Sequence, residues 1–183
     1  MEKYRKKDSR KIAKLIKMGN VFVLPTDTIY GLVCYVDDVY GYNKIFRIKK
    51  RPVSQHLSVL VKSKRQALKF FDKNQDNFEK IKSYLSHETP VTIVGKISSK
   101  ISNKYLLLPK NNVGVRVARN RFIKKIIRKT GPLFATSLNV SKQPYEKTLH
   151  NINKFDVNGY VDVGGLIGPP SRIYIAKLDE FVR

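Results

Sequence analysis

Apolar residues recur along the chain at two spacings, one helical and one extended. Ile12, Leu15 and Ile16 follow Asp8-Ser9 at helical intervals and Gly19 closes the run, which predicts a capped helix with a glycine stop. Val21 to Leu24 is short and continuously apolar, the pattern of a buried strand, and Pro25 ends it. Residues 26–31 read as a polar loop, with Leu32 to Tyr35 re-entering the sheet. Val39 through Lys50 predicts a helix with Tyr42, Ile45, Phe46 and Ile48 inward. Leu57 to Val61 is a second clear strand, and 63–85 reads as two helical pieces broken near Asp72–Asn74.

Val91 to Val94, Tyr105 to Leu108 and Val113 to Val117 read as strands, and Arg121 to Lys129 as a basic amphipathic helix stopped by Gly131-Pro132. Leu133 to Thr136 predicts a strand running into Ser137. Beyond Pro144 the pattern weakens, with late strands expected at Tyr160 to Val163 and Arg172 to Ala176. Strands and helices mix throughout, so the class is α/β with a mixed sheet. No repeat, low-complexity linker or boundary divides the 183 residues, and one domain over 1–183 is expected.

Composition narrows the function classes. No stretch is long and apolar enough to span a membrane. The charged N-terminus, Met1 to Lys7, has no apolar segment behind it and does not read as a signal peptide. A single cysteine, Cys34, excludes an internal disulfide and a cysteine metal cluster, so a cytoplasmic setting is expected. Lys and Arg number 37 against 14 Asp and Glu, a net charge of +23. Such a surface attracts polyanions by releasing counterions from phosphates, which points to a tRNA, other RNA or nucleotide partner. Any single lysine is better explained as solvated surface.

Three segments concentrate polar chemistry. Pro25-Thr26-Asp27-Thr28-Ile29-Tyr30-Gly31-Leu32 crowds hydroxyls and a carboxylate into a turn after a buried strand, suited either to a small polar ligand or to local backbone bonding. Phe46-Arg47-Ile48-Lys49-Lys50-Arg51-Pro52 closes a helix with cations. These complement the helix dipole or, at Lys49 and Arg51, hold phosphate oxygens. Thr136-Ser137-Leu138-Asn139-Val140-Ser141 sits at a strand end, a favoured ligand position in open α/β sheets, with a helix cap as the plainer alternative. Weaker signals are Arg116 in an apolar strand, opposite in face to Val113, Val115 and Val117, the Asp162-Val163-Gly164-Gly165 turn, and the rigid Gly168-Pro169-Pro170-Ser171 turn.

The PTDTIYGL loop, the IFRIKKRP run, VGVRV, the TSLN-V-S segment and the terminal GPPS-R-I resemble, in order, the motifs of the YrdC-type threonylcarbamoyl-AMP synthases. The resemblance implies a short form with one YrdC-like domain, a twisted mixed β-sheet with flanking helices, without the extra C-terminal domain of longer members. It also implies an ATP-dependent nucleotidyltransferase that makes L-threonylcarbamoyl-AMP from L-threonine and bicarbonate or CO2, releasing pyrophosphate, for threonylcarbamoyl modification of tRNA adenosine.

Site roles follow from the same resemblance. Thr28, Arg116, Ser137 and Ser171 would bind threonine. Lys49, Arg51, Gln55, Asn112 and Asn139 would hold ATP. Lys49, Arg51, Ser137 and Asn139 would carry catalysis. Mg2+ would accompany the triphosphate, with no protein-borne metal site, and downstream tRNA threonylcarbamoyl-transfer proteins would take the product. The sequence departs from the family pattern at His56, at Ala118-Arg119-Asn120, at Lys142 in place of glycine, and at Arg172 in place of threonine. The sequence also admits a YrdC-fold RNA-binding protein without this chemistry, or a paralogue acting on another carbamoyl compound.

Overall fold

The structure, a computed structural model, describes residues 1–52 and 54–182. In chain order its elements are β1 (Glu2–Tyr4), α1 (Ser9–Lys17), β2 (Phe22–Pro25), β3 (Tyr30–Tyr35), α2 (Val39–Lys49), β4 (Ser58–Val61), α3 (Lys64–Leu68), α4 (Phe78–Tyr84) and β5 (Val91–Lys96). They continue with α5 (Ser99–Lys104), β6 (Asn112–Val117), α6 (Arg121–Thr130), β7 (Leu133–Ser137), β8 (Gly159–Val161), β9 (Arg172–Ile175) and β10 (Glu180–Phe181). The strands form one ten-stranded mixed sheet in the order β1-β8-β2-β3-β7-β4-β6-β5-β9-β10.

Each face of the sheet carries its own core. On one side α1 and α6 pack on each other, and Ile12, Ile16, Phe122 and Ile126 meet Leu24, Val33 and Leu60 of the sheet. On the other, Ile45, Phe46, Phe70 and Phe71 cover Val59, Ile93, Val113 and Val115. Alternation along β6 sends Val113 and Val115 into this second core. Arg116 pairs across the sheet with Leu60 and Thr92, so it lies on the α1/α6 side.

The expected strand at Tyr105 to Leu108 is instead the turn that follows α5. The amide of Tyr105 donates to Ile101 O at 3.1 Å, and that of Leu108 to Tyr105 O at 3.2 Å. The run ends in Pro109, which has no N–H for a ladder, and Tyr105 and Leu108 are buried as plugs against the core. The short strands β1 and β10 and the helix α5 lack a clear periodic signal. β3 starts at Tyr30, ahead of the expected Leu32, because Pro25 already pairs with Tyr30. Residues 26–29 are thereby reduced to a tight hairpin connection.

Candidate active site

The hairpin connection closes on itself through its own hydroxyl. Thr26 Oγ1 donates to Ile29 O at 2.7 Å, and the Thr28 amide donates back to Thr26 Oγ1 at 3.2 Å. Tyr30, fully buried, donates its hydroxyl to Gly164 O at 2.8 Å and accepts from the Val163 amide at 2.9 Å. The start of β3 is thus tied to the Asp162–Gly164 turn. The Gly168–Ser171 segment lies over the same loop: a Cβ at Gly168 would stand 3.2 Å from Thr28 O.

Between these parts opens a cleft of about 250 Å3, lined among others by Thr26, Arg51, Ser58, Thr92, Arg116, Ser137 and Ser171. Arg116 forms its polar wall. Its Nη2 donates to Asp27 Oδ2 at 2.8 Å and to Thr28 Oγ1 at 3.0 Å. Both members of the ion pair are nearly enclosed, with side-chain exposures of 12% and 10%. Arg116 Nε and Asp27 Oδ1 are buried without a protein partner. A buried guanidinium with spare donors beside a cleft is suited to an anionic group such as a carboxylate. Beside Arg116, on the neighbouring strand, Thr92 shares a hydroxyl–hydroxyl hydrogen bond of 2.8 Å with Ser171.

The cation run after α2 divides into two roles. Lys49 is 2% exposed and does not reach the open cleft. Its Nζ donates to Ser137 O at 2.8 Å, Asn139 O at 2.9 Å and Asn139 Oδ1 at 2.6 Å. The Ser141 amide donates to Lys49 O at 2.8 Å, so the residue grips the Ser137–Ser141 segment from both ends. Burial and then the nearby Arg51 charge bring the Lys49 ammonium down to about 8. Arg51 lines the cleft. It spends one hydrogen bond on His56 O at 3.2 Å, and its Nε is buried and unpaired. Burial lowers its pKa from the ordinary arginine value.

Of the residues expected at the site, Arg51, Arg116, Ser137 and Ser171 line the cleft together. Thr28 stands behind Arg116 as an acceptor. Asn139 stands behind Ser137, whose hydroxyl donates to Asn139 Oδ1 at 2.7 Å, while Asn139 Nδ2 donates to Gln143 O at 2.6 Å. Gln55 and Asn112 are exposed and outside the cleft lining. Alternation does place Asn112 on the same strand face as Arg116.

Sequence reading missed Ser58 and Thr92, and it flagged Asp27 in the polar loop without its pairing to Arg116. Ser58 and Thr92 each interrupt an apolar strand, out of phase with the buried valines. That signal is readable once the register pairs Thr92 with Arg116. The departures from the family pattern are accommodated. Arg172 alternates away from the cleft and stacks over Phe181, 3.7 Å from its centroid. Asn120 caps α6 by accepting from the Phe122 amide at 2.9 Å, and its amide group reaches Pro25 O at 3.3 Å. Lys142 adopts a φ of +67°, the left-handed conformation that glycine takes without strain.

Known proteins share this sequence and this architecture. The family model Sua5_yciO_yrdC, described as telomere recombination, matches residues 14–173. The threonylcarbamoyl-AMP synthase of Vibrio campbellii is 27% identical over 183 residues, covering 97% of this chain and 98% of the relative. The crystal structure of P. abyssi Sua5 complexed with L-threonine superposes with a TM-score of 0.77 at 23% identity, over 96% of this chain and 53% of that one. The chain therefore spans about half the length of that structural relative. E. coli YciO superposes with a TM-score of 0.77 at 18% identity, over 95% of this chain and 86% of that one. With the family model matching residues 14–173 and the overall fold shared with Sua5 and YciO, the chain belongs to the Sua5/YciO/YrdC family.

Proposed function

We propose that this protein is an L-threonylcarbamoyl-AMP synthase. The observation that carries the reading is the meeting of Arg51, Arg116, Ser137 and Ser171 from four separate segments around one amino-acid-sized cleft. The near full-length match to a synthase of that name supports it. The amine of threonine adds to the carbon of CO2, losing a proton, or to bicarbonate with loss of water, and forms a carbamate. A carbamate oxygen then attacks the α-phosphorus of ATP, the bond to the β-phosphate breaks, and pyrophosphate leaves.

The carbamate is already an anion, so the chemistry needs positioning and charge compensation more than a strong base. Arg116 receives the threonine carboxylate, braced from behind by Asp27 and Thr28. Ser137 and Ser171 bound the side-chain pocket. Arg51 faces the phosphates, and Lys49 and Asn139 keep the Ser137 segment in place. A cleft volume of about 250 Å3 suits an amino acid, which leaves the nucleotide to groups outside the cleft lining, among them Asn112 and Gln55. Mg2+ enters with the triphosphate as part of the substrate. Asp27, the carboxylate beside the cleft, is engaged by Arg116.

The product serves threonylcarbamoyl modification of tRNA adenosine through separate transfer proteins, in the cytoplasm. No helix among the described residues is long and apolar enough to cross a membrane. The test is purified protein with ATP, bicarbonate and each amino acid in turn, followed by pyrophosphate release and mass spectrometry. Threonine-dependent pyrophosphate and threonylcarbamoyl-AMP are expected. Release that is indifferent to the amino acid, or no adenylate product, overturns the assignment.

A further inference from the structure

A broad concavity outside the active cleft lies around α3 and α5. Two clefts, of about 970 and 540 Å3, adjoin there and share Leu68, Lys69 and Lys73. Their floor is Leu68, Phe71, Ile97 and Ile101, which belong to or pack against the core under α2, not the one under α1 and α6. No described lining residue is common to this groove and the active cleft, so the two are separate surfaces.

The groove is lined by cations. Lys69, Lys73, Lys96, Lys100, Lys104 and Lys110 surround the larger cleft, and Lys64, Arg65 and Lys82 extend the line through the smaller one. The single carboxylate among the described lining residues is Asp72, and Lys96 pairs with it at 3.0 Å. No carboxylate partners Lys69, Lys73 or Lys100 among the described residues. Cations gathered around one concavity repel one another, and a polyanion that displaces their small counterions is attracted there. Among the described residues, Lys82 alone of the smaller cleft's cations pairs with a carboxylate, Glu79 at 2.6 Å.

We propose that this groove is a docking surface for a nucleic acid, held by its phosphate backbone. A concave line of lysines follows a convex strand of phosphates, whereas a flat bilayer would touch only the rim. The floor offers little for membrane insertion, since Phe71 and Ile97 are 1% and 5% exposed and Leu68 and Ile101 are partly buried. It also offers no open aromatic face for base stacking: Tyr105 is buried, and Phe78 lies under Lys82 Nζ, 5.2 Å from its centroid. Lysines act as point charges, in contrast to the planar fork of arginine. Recognition is therefore of charge and shape, steep in salt and nearly blind to sequence. The choice of tRNA as probe rests on the proposed synthase function; the groove itself does not.

The experiment measures fluorescence anisotropy of labelled tRNA over a salt series. It compares the wild type, Lys69→Glu/Lys73→Glu in the groove, and the charge-matched Lys14→Glu/Lys129→Glu on the α1/α6 face. All four lysines are exposed, so both variants are expected to fold. The groove variant should bind about tenfold or more weakly and show a salt dependence shallower by about two phosphate contacts, with the control little changed. Equal losses in both variants would mean that net charge alone governs binding, and would overturn the proposal. So would unchanged affinity in the groove variant, or a matching loss of its binding to phosphatidylserine vesicles without loss of tRNA binding. Threonine-dependent pyrophosphate release should be the same in the groove variant and the wild type. Its absence from the wild type would refute the synthase reading and leave the binding comparison standing.

Discussion

Lys49→Met separates a bracing role for this lysine from a phosphate-binding one. Methionine keeps the length of the buried stem and removes the ammonium. Three acceptors lose their donor: Ser137 O, Asn139 O and Asn139 Oδ1. Asn139 Oδ1 keeps the Ser137 hydroxyl at 2.7 Å, so the two carbonyls carry most of the loss. A buried acceptor left without a donor costs about 1–3 kcal/mol. Part of this is offset because a buried charge no longer has to be desolvated. The net expectation is a loss of roughly 2–4 kcal/mol, which for a chain of this size lowers Tm by about 5–15 °C. Thermal unfolding followed by circular dichroism reads the first effect, and pyrophosphate release with saturating ATP the second. Both should fall, and KM for ATP should change less than kcat. An unchanged Tm with a large rise in KM for ATP would refute the bracing argument and assign Lys49 to the phosphates.

Turnover should decline as pH rises through about 8, where Lys49 loses its proton and one of its donors. Stability responds to pH with the opposite sign. The folded pKa lies below the ordinary 10.5, so between these values the unfolded chain holds more protons and stability rises with pH. A pH–rate profile recorded beside urea melts checks both, and a parallel loss of activity and stability would contradict the assignment. Asp27→Ala leaves the Arg116 guanidinium buried without its carboxylate and should destabilise by about 3–5 kcal/mol while raising KM for threonine, with Asp27→Asn recovering part. Normal stability and KM in the alanine variant would show that Arg116 holds its place unaided. Lys142→Gly should stabilise by about 1 kcal/mol by relieving the left-handed backbone, seen as a higher denaturant midpoint, and a lower midpoint refutes the strain argument.

Periodicity by itself determined the elements that bury a continuous apolar face. α1, α2, α6, β2, β4, β6 and β7 are where the spacing of Ile, Leu, Val and Phe places them, because a long amphipathic pattern has only one way to sit on a core. The loop after β2, the cations after α2 and the segment after β7 were legible as polar chemistry at element ends. Their division of labour was not. Lys49 and Arg51 stand two residues apart in the same run, yet one is sealed beneath the Ser137 segment and the other opens on the cleft. That difference follows from how α2 docks on the sheet, which no local pattern encodes. Ser58 and Thr92 acquire their meaning only when strand register brings β4 and β5 beside Arg116 of β6, and Asp27 only when the β2–β3 connection meets that arginine. The Tyr105 to Leu108 turn failed as a strand because burial of apolar residues is served equally by a plug, and Pro109 removed the ladder alternative. Sequence sets which residues must leave water, while the pairing of distant strands decides which polar groups then face each other.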